Sequence, residues 1–190
     1  MMDFSSQQKA PEGYSLLYSR QDIQDRASEI IQNFAKKHSL EGVVPVVVLG
    51  GAMEWSSLVL PELYKEGLNT ERYFLQAKSY EGTQSGNCNV QLITPGLAEA
   101  LKGKTALLIE DIVDTGNTAS TIAVELENYG VKDVVFLSML DKPSKRDPAI
   151  DLTGIDVISA FEIPGDYFVI GFGLDLDGKY RHFPGICMPK

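Results

Sequence analysis

Three carboxylates and a short run of small polar residues lie close together near the middle of the chain. Glu110 and Asp111 follow an apolar run, Thr105 to Ile109, and Asp114 comes three residues after Asp111. The next four positions combine hydroxyl, amide and glycine residues, namely Thr115, Gly116, Asn117 and Thr118. Apolar residues at helical spacing come after this run. The order predicts a buried strand that ends at the acids, a polar loop and the start of a helix.

The predicted loop suits a phosphate monoester. A helix N-terminus presents unpaired N–H groups and the positive end of its dipole, Gly116 permits a tight turn, and Thr115 and Thr118 add hydroxyl donors. Carboxylates beside such a loop would repel phosphate unless they face hydroxyl groups or hold a divalent cation that bridges to further phosphates. The ligand indicated is therefore a sugar phosphate with Mg²⁺. Any one of these residues alone would be interpreted as a solvated acid or a helix cap, and only the whole run favours a site.

The nine residues from Glu110 to Thr118, Glu-Asp-Ile-Val-Asp-Thr-Gly-Asn-Thr, resemble the phosphoribosyl pyrophosphate (PRPP) motif of type I phosphoribosyltransferases. From about Tyr14 to the C-terminus the chain is similar to the bacterial hypoxanthine and hypoxanthine-guanine phosphoribosyltransferases. The resemblance implies an α/β fold with a mostly parallel five-stranded sheet flanked by helices. It implies one domain over residues 1–190, with a small hood built from C-terminal strands and part of the N-terminal segment. It also implies a homodimer or homotetramer.

The reaction that the resemblance implies belongs to purine salvage. The 5-phosphoribosyl group of PRPP is transferred to N9 of a 6-oxopurine, hypoxanthine or guanine, and pyrophosphate leaves. Asp114 would take the N7 proton as general base, while Glu110 and Asp111 would orient the ribose hydroxyls directly or through a metal ion. Asp114 and the following residues would bind the 5-phosphate, that is Thr115, Gly116, Asn117 and Thr118.

The C-terminal part of the chain resembles the base-binding region of the same family. Lys142 would donate to the purine 6-oxo group, because an ammonium only donates and so disfavours the 6-amino group of adenine. Phe168 would stack on the purine ring, and the backbone of Val169 would contact the base edge. Asp175 would hold Mg²⁺ on the pyrophosphate side, together with the candidate metal ligands Glu110 and Asp111.

The pyrophosphate contacts are predicted at two further loops. An aliphatic strand, residues 43–49, runs into Gly50-Gly51, where backbone N–H groups can approach an anion closely. The family has Lys or Arg where this chain has Leu49, so we expect the amides around Gly50 to contribute more of the contact. Residues 78–88 resemble a flexible lid that excludes water from the reacting centre. Its Ser79 and Tyr80, with Arg181, would lie near the pyrophosphate, although Tyr80 could equally stabilise a hairpin.

Composition excludes several other classes of protein. The 26 acidic and 17 basic residues give a formal net charge of −9, which argues against nonspecific attraction to nucleic acid or an anionic membrane surface. No run of 18 apolar residues and no basic-then-apolar N-terminus occurs, so we expect a cytoplasmic protein. The two cysteines, Cys88 and Cys187, lack the spacing of a zinc site and are expected to be free thiols.

The remaining elements should bring these residues to one edge of a sheet. Periodicity predicts helices over residues 22–38, 54–66 and 119–129, and strands over residues 72–77, 89–93, 133–140, 156–163 and 168–172. A strand, helix and strand in succession imply a right-handed parallel crossover, so Lys142 should lie at the same carboxyl edge as Glu110 and Asp111.

Two alternative functions are compatible with the same residues. A PRPP-sensing regulator that binds nucleic acid could retain the ligand site, since fold alone does not define function. The acidic balance and the predicted base site argue against it. The other alternative is an enzyme that prefers xanthine, or, less compatibly with Lys142, adenine.

Overall fold

The central sheet of the computed structural model has six strands in the order β4-β3-β2-β5-β6-β7. The structure describes residues 9–79, 88–163 and 167–190. The strands are β2 Val43–Leu49, β3 Tyr73–Ser79, β4 Cys88–Leu92, β5 Thr105–Val113, β6 Asp133–Asp141 and β7 Ile155–Glu162. All neighbours pair in parallel except β4, which is antiparallel to β3. The predicted mostly parallel sheet is therefore confirmed, with an antiparallel edge strand added to five parallel ones.

Helices cover both faces of this sheet. They are α1 Arg20–Lys37, α2 Met53–Lys65, α3 Leu97–Leu101 and α4 Asn117–Glu127. The side chains of β2 alternate between two buried clusters: Val43 and Val47 pack on the side of α1 and α2, while Val44, Val46 and Val48 pack on the side of α3 and α4. Burial on both faces explains why this strand is an almost continuous aliphatic run. None of the described helices combines the length and apolar character that a membrane crossing requires.

A second, two-stranded sheet joins the two ends of the chain. Strand β1, Tyr14–Tyr18, pairs antiparallel with β8, Ile186–Pro189. The sequence analysis assigned no element to either segment or to α3. The division into one domain with a hood stays a prediction. Cys187 in β8 is buried with a free thiol, and burial raises the pKa of that thiol.

Two predicted strands differ from the structure by more than a shift of one or two residues at an end. The strand expected to end at Ile109 continues to Val113, because β5 keeps pairing with β6 through Glu110 and Ser138 and then Val113 and Asp141. The strand expected over residues 168–172 is absent from the described part of the chain, where Ile170 makes only an isolated bridge to Cys187. Gly171 and Phe172 both have positive φ, +95° and +48°, so the backbone turns there instead of extending.

The start of α1 is stabilised by a capping box, which gives a first prediction. The Ser19 hydroxyl accepts from the Asp22 amide at 3.2 Å, and the Asp22 carboxylate accepts from the Ser19 amide at 2.8 Å. We expect Ser19→Ala to lower the free energy of unfolding by about 1 kcal/mol in urea denaturation. Hydrogen bonds from the Ser19 hydroxyl and amide lower the pKa of Asp22. Asp22→Asn should therefore destabilise the protein near neutral pH, and its penalty should shrink as pH falls through the depressed pKa. A penalty independent of pH would contradict this.

Candidate active site

A cavity of about 310 Å³ opens at the carboxyl ends of β2 and β5. Its walls come from the turn after β2, the acids at the end of β5, the loop into α4 and the C-terminal segment. Predicted site residues lining it are Leu49, Gly50, Glu110, Asp111, Asp114, Thr115, Gly116, Asn117, Thr118, Asp175 and Arg181. Phe168, Val169 and Lys142 do not line this cavity. Tyr80 lies outside the described residues, and Ser79 is described only as the last backbone position of β3.

The loop between β5 and α4 has the geometry of an anion site. Gly116 caps α4 with φ +92°, a left-handed conformation that favours glycine, and Ser120 N donates to its carbonyl at 2.9 Å. A Cβ at Gly116 would lie 3.0 Å from Leu152 Cδ1, so the turn is also closely packed. The N–H groups of the first helical turn have no acceptors within the helix. Thr115 and Thr118 line the cavity together with this turn, and Asn117 N donates to Thr115 Oγ1 at 3.3 Å, so the start of α4 offers backbone and hydroxyl donors beside the cavity.

Asp114 and Lys142 form an ion pair at the edge of this loop. Lys142 Nζ lies 3.0 Å from Asp114 Oδ2, and Lys145 Nζ lies 3.9 Å from Asp114 Oδ1. Lys142 is only 4% exposed, so its ammonium requires such a partner. A proton acceptor and a donor therefore lie one hydrogen bond apart.

The end of β5 packs directly on the turn after β2. Ile112 N donates to Asp111 Oδ1 at 2.8 Å. Asp111 Oδ2 lies 1.6 Å from the position that a Cβ on Gly51 would take. The carboxylate thus occupies space that exists only because residue 51 is glycine. The preceding peptide bond, Leu49–Gly50, is cis. Glu110, beside Asp111, is 7% exposed.

The C-terminal segment closes the cavity from the opposite side. Arg181 Nη2 lies 2.6 Å from Asp175 Oδ1, and Gly178 N donates to Asp175 Oδ2 at 2.7 Å. Arg181 Nη1 donates to the Gly173 carbonyl at 2.5 Å. A Cβ on Gly173 would lie 1.9 Å from the Gly51 carbonyl oxygen, so the two glycines pack backbone against backbone. The predicted pyrophosphate residues on both segments therefore face one cavity.

Comparisons with known proteins identify the family of the chain. A model of the phosphoribosyl transferase domain matches residues 17–176. The chain belongs to the phosphoribosyltransferase family. It is 32% identical over 166 residues to the hypoxanthine phosphoribosyltransferase of Escherichia coli K12, covering 87% of this chain and 89% of the relative. It is 34% identical over 178 residues to the hypoxanthine-guanine phosphoribosyltransferase of Lactococcus lactis, covering 92% and 91%.

Solved structures of the same family share the fold. The Trypanosoma cruzi hypoxanthine phosphoribosyltransferase in complex with its product IMP superposes with a TM-score of 0.82 at 25% identity, covering 96% of this chain and 97% of the other. The Staphylococcus aureus hypoxanthine phosphoribosyltransferase superposes with a TM-score of 0.75 at 29% identity, covering 93% and 91%. The type I phosphoribosyltransferase fold expected from the sequence is thereby confirmed.

The carboxylates of this phosphoribosyltransferase suit a metal ion that arrives with the substrate. Within residues 9–79, 88–163 and 167–190, no three His, Cys, Asp or Glu side chains group closely enough to hold a metal ion. Mg²⁺ is commonly bound by one or two carboxylates together with substrate phosphates. Glu110 and Asp111 at the cavity wall, and Asp175 across from them, fit that mode but form no cage of protein ligands.

Arg146 and Asp141 support the loop that lines the cavity, and the sequence analysis missed both residues. The Arg146 guanidinium donates to the carbonyls of Val113 and Asp114 and forms an ion pair with Asp141. The sequence analysis treated residues 144–154 as a charged loop. The sequence feature that could have indicated them is the pair of basic residues Lys145 and Arg146, which follows shortly after Lys142.

Proposed function

We propose that this phosphoribosyltransferase transfers the 5-phosphoribosyl group of PRPP to N9 of hypoxanthine or guanine, which forms IMP or GMP and releases pyrophosphate. The observation that carries the proposal is the contact between Asp114 and Lys142, 3.0 Å apart beside an anion-binding loop. A phosphate loop alone would suit many ligands, whereas this pair also selects a base with an acceptor beside a protonated ring nitrogen.

Positioning of the two substrates provides most of the proposed catalysis. The loop from Thr115 to Thr118 and the N-terminus of α4 bind the 5-phosphate, and Glu110 and Asp111 orient the ribose hydroxyls. Lys142 donates to the purine O6, and Asp114 accepts the N7 proton as the bond from N9 to C1′ forms. The C1′ centre passes through an oxocarbenium-like state, so a fixed alignment of base and ribose lowers the barrier.

Charge that develops on the departing pyrophosphate is stabilised from two sides of the cavity. The backbone around Leu49 and Gly50 donates from the turn after β2, and the Arg181 guanidinium donates from the C-terminal segment. Glu110, Asp111 and Asp175 would hold Mg²⁺ with the help of substrate oxygens, and the ion would neutralise phosphate charge. Ser79 and Tyr80 are proposed to complete this end of the site as part of a lid.

The base itself is proposed to lie against Phe168. Phe168 is 50% exposed, so its ring is proposed to stack on a purine. The backbone of the buried neighbour Val169 would contact the base edge. We further propose a cytoplasmic enzyme that assembles as a homodimer or homotetramer and binds neither nucleic acid nor membrane.

Leu49 gives a prediction about PRPP affinity. It lines the cavity at the place where the family has a basic residue, so the pyrophosphate end lacks one cation. We expect Leu49→Lys to lower KM for PRPP about tenfold, because a charge-assisted hydrogen bond contributes about 1.5 kcal/mol. Initial rates at varied PRPP measure this, and Leu49→Met is the matched control. A KM that is unchanged or higher in the lysine variant would contradict the account.

A spectrophotometric screen tests the proposed function. The purified chain is mixed with PRPP, Mg²⁺ and one of hypoxanthine, guanine, xanthine, adenine, uracil or orotate. Turnover with hypoxanthine or guanine and none with adenine supports the proposal and the role of Lys142. Turnover with xanthine alone would replace the substrate. No turnover with any base, together with tight and salt-dependent binding of RNA or DNA, would favour a regulator.

A further inference from the structure

Arg146 lies at the junction of three segments that form the proposed site. Its Nη1 donates to the Val113 carbonyl at 2.9 Å and also to the Asp114 carbonyl. Its Nη2 forms an ion pair with Asp141, the last residue of β6. Its Cδ lies 3.5 Å from where a Cβ on Gly116 would stand. One side chain therefore contacts the end of β5, the end of β6 and the turn into α4.

We propose that Arg146 is a positioning residue that holds Asp114 and Lys142 in register. The proposal rests on the function proposed above. Asp114 and Lys142 come from two different loops, and the reaction requires their side chains to meet one edge of one base. Arg146 connects these loops, because it binds the carbonyl of Asp114 on one side and the carboxylate that directly precedes Lys142 on the other.

Two backbone hydrogen bonds join the segments at this junction, and Asp114 lies between them. Lys142 N donates to the Val113 carbonyl at 3.0 Å, and Asp147 N donates to the Thr115 carbonyl at 3.1 Å. The Asp114 carbonyl lies between these two links and accepts from Arg146. A guanidinium presents its donors on separate nitrogens in a fixed planar fork, so it binds two carbonyls and a carboxylate in one defined arrangement, whereas the three donors of an ammonium share one nitrogen on a flexible stem.

Charge at the junction supports the same role. Asp141 is 8% exposed, and a buried carboxylate requires a cationic partner. Arg146 provides that partner, while Lys142 pairs with Asp114. Asp141 thus has its own cation, and the Lys142 ammonium remains paired with Asp114, which Lys145 also approaches to 3.9 Å.

Variants at Arg146 test the proposal, because a positioning residue should affect kcat more than KM. We expect Arg146→Ala to lower kcat about 50-fold with a smaller change in KM for PRPP, because a displacement of about 1 Å at a reacting group costs up to a hundredfold in rate. Guanidinium chloride below denaturing concentrations should restore part of the lost turnover. A purely structural role would lower thermal stability without that rescue.

Arg26→Ala is the matched control. Arg26 Nε donates to the Ala160 carbonyl at 2.7 Å and Nη1 pairs with Glu29 at 2.7 Å, so it makes the same kinds of contact in α1. This variant should lose stability and keep kcat. Arg146→Lys retains the positive charge but not the planar set of guanidinium donors, and its kcat should be about tenfold lower than that of the wild type. If Arg146→Ala does not fold, the kcat of Arg146→Lys tests the proposal.

Two results would overturn the proposal in distinguishable ways. If the wild-type chain turns over hypoxanthine or guanine and the folded Arg146 variants keep its kcat, only the role of Arg146 is wrong. If the wild-type chain shows no turnover with any base, the proposed function is wrong, and so is the role of Arg146 that rests on it.

Discussion

Asp114→Asn should lower turnover by about 10² to 10⁴-fold while PRPP still binds. In the wild-type chain Lys142 Nζ donates a hydrogen bond to Asp114 Oδ2 at 3.0 Å. The asparagine amide has the size of the carboxylate, and its oxygen can still accept this hydrogen bond. It cannot take up a proton from N7. The backbone donors of the phosphate loop are unchanged by the substitution, so KM for PRPP should stay within about threefold. Initial rates with hypoxanthine and calorimetric titration of PRPP measure the two quantities separately.

The control for this variant is Asp151→Asn in the loop before β7. Asp151 Oδ1 accepts from the Thr153 amide at 2.8 Å and does not line the cavity, so the same chemical change should leave turnover intact. Full activity in Asp114→Asn would remove Asp114 as the general base. Loss of PRPP binding together with activity would instead make it a ligand of the ribose phosphate.

Local pattern was sufficient for the elements that are buried on both faces. Strand β2 was predicted with its observed bounds, Val43–Leu49, because a continuous aliphatic run ended at Gly50-Gly51. The same reasoning misplaced the end of β5, where polarity at Glu110 was taken as the strand end. Pairing with β6 continues to Val113 irrespective of that polarity. A strand's end is therefore decided by its neighbour, which is not encoded in local hydrophobicity.

The segment around Phe172 shows the opposite failure. Apolar density over residues 168–172 predicted a strand, but Gly171 and Phe172 adopt positive φ and Phe172 N donates to the Phe183 carbonyl at 2.8 Å. Tertiary contacts override propensity there. Strand β8 was missed because its partner β1 lies at the other end of the chain.

The residues of the proposed phosphate loop were found from the sequence because they are contiguous in the chain. The nine consecutive residues from Glu110 to Thr118 include both acids and donors, and all nine line the cavity. The contacts of Arg146 and of Gly51 were missed because each joins segments distant in sequence. Motif reasoning finds ligand contacts that one loop provides, whereas the contacts that align several loops require coordinates.

Gly51→Ala should be nearly inactive. A Cβ there would lie 1.6 Å from Asp111 Oδ2 and 2.6 Å from Asp111 Cγ, so the carboxylate must leave its place. Asp111 is proposed to orient the ribose hydroxyls, and Gly51 belongs to the turn that is proposed to contact the pyrophosphate. We expect kcat/KM for PRPP to fall at least about a hundredfold, since misplacement by about 1 Å has that effect on a reacting group. Gly103→Ala adds a Cβ with nothing within 4 Å, at φ +68°, and should lower stability but not activity.

A double-mutant cycle with Asp111→Ala isolates the cause. If displacement of the Asp111 carboxylate explains the loss, adding Gly51→Ala in the Asp111→Ala background should cost little more, because the atom that clashed is gone. The two substitutions would then be strongly non-additive in kcat/KM. Additive losses would show that Gly51→Ala acts through the backbone of the turn itself. The contact between Asp111 and Gly51 would then not explain the loss of activity.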